Sequence, residues 1–277
     1  MMPSVRDSTA GPLENPLEMR TQPRVGANFP IRVHSRDFPI PLEGRARDLS
    51  VNGACVATTT PFAVKSIQQI ELILPEQTLV LEADGRWQRD EPVDDLVLTG
   101  ISFLAIDTDV RDILWSTVIA SGQQLARFLY ERSGLHELGL EEAMGLAQVT
   151  RYREVTAGRT IYRQDTRDPG EDSIFLLTEG RVALRVRFRD VRDLDFADLG
   201  PGELFGGFPL VADLAHTESA VAESNCSLLE IDDTAYRYLC TARPWLAQKL
   251  ATALVRISAI RLRNIYIRCQ SGERNPR

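Results

Sequence analysis

Two arginines stand four residues apart near the N-terminus, Arg20 and Arg24, in the stretch MRTQPRVG. Pro23 and Gly26 lie beside them, so the pair belongs to a loop that enters a first strand rather than to a helix. A guanidinium presents a planar fork of donors that fits either a phosphate or the O6/N7 edge of guanine. The pair therefore indicates an anion site, and the alternative is two solvated surface arginines.

A second short motif, DLSVNG, carries complementary chemistry in Asp48, Ser50 and Gly53. The Asp48 carboxylate can accept from the N1–H and the N2 amine of a guanine, and the Ser50 hydroxyl can donate or accept. Gly53 allows either a close backbone approach or a positive φ. A ligand with guanine and phosphate groups would use both motifs. The alternative is that the Asp-x-Ser segment is an ordinary Asx or ST turn.

These residues must be held by short strands. Between residues 24 and 105, six segments alternate apolar and polar positions without a helical period. They read FPIRVHS, GRARDLS, GACVATTT, SIQQIELILP, LVLEADGRWQRD and LVLTGISFLAI. Six such strands with turn residues between them predict a small antiparallel barrel.

The order RTQPR, FPIRV, DLSVNGA and GISF over about residues 18–107 resembles the PilZ domain family. The paired signatures of that family, RxxxR and (D/N)xSxxG, are intact here as Arg20/Arg24 and Asp48/Ser50/Gly53. The resemblance implies a six-stranded barrel that binds the bacterial second messenger cyclic di-GMP, with the arginine loop closing over it. Met19 stands where a basic residue would favour a second nucleotide, which indicates one nucleotide per protomer.

The hydrophobic period then becomes helical, and a connecting helix is predicted over residues 108–135, with Asp109 as its N-cap and Gly134 as its stop. Strands punctuated by glycines return after it. The stretch over residues 136–240, with FLLTEGRVAL, LGPGELFG and SLLEID, is similar to cyclic nucleotide-binding domains of the catabolite-activator type. That resemblance implies a jelly-roll barrel followed by a long helix.

The ligand-binding cassette of that family, Phe-Gly-Glu followed by Arg-(Ser/Thr)-Ala, is not preserved. Here Gly206 is followed by Gly207 at the place of the glutamate, and His216 precedes Thr217 at the place of the arginine. Glu218 stands where a small residue is expected, and a carboxylate repels a phosphate. We therefore interpret this barrel as a degenerate structural or protein-binding module, with binding of cyclic AMP or cyclic GMP as the alternative.

The segment 241–277 is predicted to be a long helix with a basic tail. Apolar positions recur at spacings of four and three, with one Asn among them, as in a coiled-coil dimer. They are Leu246, Leu250, Ala253, Ile257, Ile260, Asn264 and Ile267. The alternative is a helix packed on its own barrel. Because the chain ends at Arg277, soon after this helix, we expect no helix-turn-helix and no direct DNA binding.

Composition excludes several classes of function. The 277 residues carry a net charge of −7, which argues against a general nucleic-acid surface. Neither a membrane span nor a signal peptide is apparent, and residues 1–17 are predicted to be a disordered leader. Four scattered cysteines are typical of reduced cytoplasmic thiols: Cys55, Cys226, Cys240 and Cys269. No catalytic, metal or cofactor motif was found.

The sequence thus predicts a mainly β protein with helices, in which a PilZ-like barrel, a connecting helix and a jelly-roll barrel follow one another. We expect a bacterial, cytoplasmic, non-enzymatic cyclic di-GMP receptor that dimerises through its last helix and signals to an unknown protein. A dual sensor that also binds a cyclic mononucleotide, or a scaffold that binds no nucleotide, remain the alternatives.

Overall fold

The computed structural model describes residues 24–91, 95–135, 137–168, 171–187 and 194–271. The first barrel contains seven strands: β1 (Val25–Gly26), β2 (Pro30–Ser35), β3 (Leu42–Ser50), β4 (Gly53–Thr58), β5 (Ile67–Ile73), β6 (Thr78–Glu91) and β7 (Leu96–Phe103). The predicted leader, Arg20 and the residues after 271 lie outside the described part of the chain.

The first barrel closes because β3 pairs with both of its hairpin partners. The strands follow the order β1-β3-β2-β5-β6-β7-β4, and an additional β3–β4 pairing joins the ends. Inward-facing apolar side chains such as Ile31, Leu49, Ile70 and Leu72 are almost fully buried in its core. The predicted six-stranded barrel is confirmed. The two-residue strand β1, which the sequence did not indicate, adds to the edge of β3 with Gly26 opposite Asp48.

The connecting helix α1 (Thr108–Arg132) contributes to two hydrophobic cores. Leu114 and Val118 are buried in the core of the first barrel, and Ala126 and Leu129 in the core of the second. The N-cap is Asp107 rather than Asp109, which lies in the first turn. A short helix, α2 (Leu140–Ala147), follows.

The second barrel is a sandwich of two four-stranded sheets, β13-β10-β15-β8 and β12-β11-β14-β9. Its elements are β8 (Arg151–Val155), β9 (Thr160–Tyr162), β10 (Ser173–Glu179), β11 (Val182–Val186), β12 (Leu194–Leu199), β13 (Leu204–Gly206), α3 (Phe208–Val211), β14 (Ser219–Ala222) and β15 (Cys226–Asp232). This arrangement confirms the predicted jelly-roll architecture.

Two helices close the chain, α4 (Asp233–Ala242) and α5 (Pro244–Ser271). The predicted coiled-coil seam on α5 is only partly available, because Leu246, Leu250 and Ala253 are buried in the core of the second barrel. The apolar side chains that α5 exposes near its C-terminus include Leu262 and Tyr266, which are 65% and 64% exposed. Helical periodicity identified the helix correctly but could not tell which face its own barrel covers.

Strand β8 is an edge strand of the second barrel, and it lies against the first barrel. The Arg47 guanidinium donates to the Tyr152 carbonyl oxygen at 3.0 Å, and Asn28 donates to Glu154 at 2.8 Å. Arg45 also forms an ion pair with Glu154 at 3.3 Å. The β8 edge of the second barrel is thus covered by the strand that carries the DLSVNG motif.

Three of the four cysteines, Cys55, Cys226 and Cys240, are free thiols; the side chain of Cys269 lies outside the description. Over the described ranges, no helix is long and apolar enough to cross a membrane. In the same residues, no group of three or more His, Cys, Asp or Glu side chains is arranged to hold a metal ion.

Candidate functional site

The two sequence motifs of the first barrel meet at Asp48. The Arg24 Nη1 atom donates to Oδ1 of Asp48 at 2.6 Å. The pairing of β1 with β3 explains this contact, because it places Gly26 opposite Asp48 and so brings Arg24 to the same end of the strand. Arg20, the other predicted arginine, lies outside the described residues.

Asp48 is 3% exposed, so its carboxylate depends on protein donors. In addition to Arg24, the backbone N–H of Cys55 donates to Oδ1 at 2.9 Å. Burial, with the nearby charge of Asp48, raises the pKa of the Cys55 thiol to about 12. Cys55 therefore stays protonated near neutral pH and is not a nucleophile.

Ser50 and Gly53 close the β3–β4 hairpin. The Ser50 hydroxyl donates to the Gly53 carbonyl oxygen at 3.0 Å, and Ser50 is itself 3% exposed. A Cβ atom on Gly53 would lie 2.2 Å from the carbonyl oxygen of Ile101, on the neighbouring strand β7. Gly53 is thus required for close approach of the two strands rather than for a positive φ.

The second barrel contributes a residue that the sequence did not indicate, Arg151 on β8. Its Nε lies 3.9 Å from Oδ2 of Asp48, and its Nη1 lies 2.6 Å from Oδ2 of Asp232. Burial alone would lower the pKa of Arg151, but the charges of Asp232 and Asp48 outweigh it and raise that pKa. Charged residues on an edge strand are ordinary, so this role was not predictable from the sequence.

Two guanidinium groups therefore share one buried carboxylate. Oδ1 of Asp48 already accepts two hydrogen bonds, whereas Oδ2 lies beyond hydrogen-bond distance from Arg151. The site combines two guanidinium groups with a buried carboxylate, and this combination suits an anionic ligand that also presents N–H donors.

In the second barrel, the residues of the degenerate cassette do not form an open nucleotide pocket. Gly206 and Gly207 both have positive φ, 70° and 83°. A Cβ atom on Gly207 would lie 2.7 Å from Ile174 Cγ1 and 3.0 Å from Leu254 Cδ1 on α5. The space for a glutamate side chain is therefore taken by the barrel and by the last helix.

His216 is buried at 1% exposure, where it cannot replace a ligand-binding arginine. Its ring stacks on Tyr162 with centroids 3.9 Å apart and planes inclined by 14°. Burial is the main reason that the pKa of His216 falls to about 4. The imidazole is thus neutral near pH 7 and provides no charge for a phosphate.

Internal hydrogen bonds occupy the rest of the cassette. The Tyr162 hydroxyl donates to Oε1 of Glu218 at 3.0 Å, and the Thr217 hydroxyl donates to Oε2. The cavity that remains beside them and Arg261 of α5 is only about 30 Å³. Pockets for small ligands usually measure about 300–1,000 Å³, so this conformation has no room for a cyclic nucleotide there.

Two protein-family models match the chain, one over each barrel. The family model of the PilZ domain matches residues 18–120, and that of the cyclic nucleotide-binding domain matches residues 152–243. The chain therefore carries a PilZ domain followed by a cyclic nucleotide-binding domain.

Similar proteins match part of the chain. A cyclic nucleotide-gated potassium channel of Mesorhizobium japonicum is 28% identical over 145 residues, which are 49% of this chain and 38% of the channel. The chain thus spans well under half the length of this relative.

Among solved structures, a cyclic nucleotide-binding domain from Methylobacillus flagellatus is 17% identical, with a TM-score of 0.47; the match covers 56% of this chain and 85% of that one. The catabolite activator protein of Thermus thermophilus is 30% identical, with a TM-score of 0.42; the match covers 50% of this chain and 62% of that one.

Proposed function

We propose that this protein is a bacterial, cytoplasmic receptor for cyclic di-GMP without catalytic activity, and that the ligand binds to the PilZ domain. The observation that carries this proposal is the 2.6 Å contact between Arg24 and Asp48, which joins the two PilZ signatures in one place. The binding residues would be Arg20, Arg24, Asp48, Ser50 and Gly53.

Each part of the ligand has a matching group. A guanine N1–H and N2 amine would donate to the Asp48 carboxylate. The phosphates would accept hydrogen bonds from the guanidinium groups of Arg24 and Arg20. Because Arg24 now holds Asp48, the ligand must replace this contact as it binds. Ligand binding would thereby rearrange the loop before β1.

The consequence would be a change in how the barrels contact each other. Asp48 and Arg47 lie on the strand that faces β8, and both take part in contacts to the second barrel. A rearrangement at Asp48 would alter this interface and hence the surface presented to a downstream protein. The second barrel would serve as the responding module and would bind no cyclic mononucleotide.

We also propose that α5 forms a homodimer interface, through a stripe different from the predicted seam. Val255, Ala259, Leu262 and Tyr266 recur at spacings of four, three and four on its exposed side. Val255, Leu262 and Tyr266 are 64%, 65% and 64% exposed, so they form an apolar stripe that a second copy of the chain can cover. The spacing is that of a coiled-coil seam.

Equilibrium binding of labelled cyclic di-GMP to the full chain tests the receptor function. Arg24→Ala should weaken binding by about tenfold or more, because a charged hydrogen bond is worth about 1.5–3 kcal/mol. Arg36→Ala removes an exposed arginine from the same barrel, away from Asp48, and should leave binding unchanged. Equal affinities of these two variants would contradict the proposed site.

The same assay with unlabelled competitors separates the alternatives. Cyclic di-GMP should displace the label, whereas cyclic AMP and cyclic GMP should not. Saturable binding of cyclic AMP or cyclic GMP at a second site would favour a dual sensor, and no binding of any of the three would favour a scaffold.

A further inference from the structure

Arg151 is a residue of the second barrel that contacts the proposed ligand site of the first. Its side chain is 18% exposed and lies between two carboxylates, with Asp48 at 3.9 Å and Asp232 at 2.6 Å. Asp232 in turn caps the N-terminus of α4, because its Oδ1 accepts from the Ala235 N–H at 2.8 Å. One guanidinium thus connects the DLSVNG motif to the start of the two closing helices.

The contact between Arg151 and Asp48 matters because a buried carboxylate needs a compensating positive charge. Asp48 is 3% exposed, and Arg24 is its nearest cation at 2.6 Å. A buried carboxylate that loses its only cation is strongly destabilised. Arg24 can therefore leave Asp48 for a ligand phosphate only if a second cation compensates the carboxylate.

We propose that Arg151 is this second cation, a positioning residue that completes the cyclic di-GMP site from the second barrel. The inference depends on the proposed function of the PilZ domain. When Arg24 turns to the phosphate, Arg151 compensates Asp48 from the side of Oδ2, and the Oδ1 atom that Arg24 releases becomes available to the guanine. Ligand affinity then depends on the second barrel being docked, and by linkage the ligand stabilises that docking.

Through Asp232, the Arg151 side chain would transmit the effect of ligand binding at Asp48 to α4. As Arg151 is drawn towards Asp48, its 2.6 Å contact with Asp232 weakens at the N-terminus of α4. Because α4 leads directly into α5, the ligand site and the exposed stripe of α5 become coupled through this single side chain.

Calorimetric titration of cyclic di-GMP into the full-length protein tests the role of Arg151. Arg151→Gln removes the charge and should weaken binding by about tenfold or more. Arg151→Lys keeps the charge and should bind clearly more tightly than Arg151→Gln, a partial rescue that loss of packing would not show. Arg45→Ala is the matched control, since it breaks another ion pair between the barrels, with Glu154, and should change affinity by less than about threefold.

The outcomes are distinguishable. An Arg151→Gln variant that binds as tightly as the wild type, or more tightly, overturns the role of Arg151 and leaves the receptor function intact. A Lys variant as weak as the Gln variant also overturns charge compensation. A wild-type protein that does not bind overturns the proposed function itself, and the role of Arg151 with it.

A variant that retains the charge of Arg151 keeps the test valid if Arg151→Gln does not fold. Asp232→Asn preserves an N-cap for α4 but releases Arg151 from its closer partner. Cyclic di-GMP should then bind at least as tightly as to the wild type. A tenfold loss of affinity in this variant would contradict the proposal.

Discussion

Asp48 and Arg151 belong to different barrels, yet Oδ2 of the one lies 3.9 Å from Nε of the other. Asp48 is part of the DLSVNG motif, and Arg151 begins the edge strand of the second barrel. The proposed ligand site is therefore located where the two domains meet. Its occupancy and the contact between the domains depend on the same few charged groups.

The first prediction concerns the stability of the site without ligand. Asp48→Ala should lower the free energy of unfolding by about 3 kcal/mol, because it leaves the partly buried Arg24 guanidinium and the Cys55 N–H without their acceptor. Asp84→Ala removes a surface carboxylate of the same barrel and should cost less than about 1 kcal/mol. Chemical denaturation measures both, and equal losses would contradict the buried charge network.

The second prediction concerns Gly53. Gly53→Ala should destabilise the protein by about 1–3 kcal/mol. The Cβ atom of the new alanine would lie 2.2 Å from the Ile101 carbonyl oxygen and would push β4 away from β7. Gly200→Ala is the control, since a Cβ there would meet no atom within 4 Å. Thermal unfolding should show a lower Tm for the first variant only. A Gly53→Ala protein as stable as the wild type would show that the close approach is not required.

The third prediction concerns pH and His216. The pKa of this imidazole falls from about 6.5 in the unfolded chain to about 4 in the folded protein. The folded state thus binds fewer protons than the unfolded chain between these two pH values. The contribution of neutral His216 to the free energy of unfolding is therefore complete above pH 6.5 and is lost as the pH falls towards 4. The loss amounts to about 3 kcal/mol at 1.36 kcal/mol per pKa unit.

Comparison with His216→Gln isolates this contribution. Burial raises the pKa of the neighbouring Glu171 and Asp172, and these two groups change stability with pH in the opposite direction. Denaturation of both proteins between pH 7 and pH 4.5 should show a steeper loss for the wild type. Parallel curves would mean that His216 does not titrate differently in the folded state.

The fourth prediction concerns oligomeric state. The wild type should elute with twice the 31.0 kDa mass of one chain in size-exclusion chromatography with light scattering. Leu262→Glu places a charge in the exposed stripe of α5 and should give a monomer. Trp245→Glu changes another exposed apolar residue of α5, outside the stripe, and should remain dimeric. A monomeric wild type would refute this interface.

Much of the fold followed from sequence pattern. The six barrel strands and the connecting helix were predictable because alternation and helical period are local properties. The two-residue β1 and the helix α4 were not predicted. The face of α5 that packs inward was also misjudged, because Leu246 and Ile260 have the same periodicity although only Leu246 is buried.

The site was predictable only in part. Asp48, Ser50 and Gly53 form a recognisable motif in six consecutive residues, and the resemblance to the PilZ family connected this motif with the arginine pair. Arg151 stands more than 100 residues from Asp48, so no local pattern could connect them. The loss of the second pocket was visible in Gly207 and His216, but the Ile174 and Leu254 side chains that occupy the space beside Gly207 became apparent only in three dimensions.

Calorimetric titration of wild-type protein with cyclic di-GMP tests the central claim most directly. The account predicts saturable binding at micromolar ligand, with one nucleotide per protomer, and its loss in Arg24→Ala. The absence of any binding heat with tens of micromolar protein and ligand, supported by the absence of a thermal shift, would contradict it.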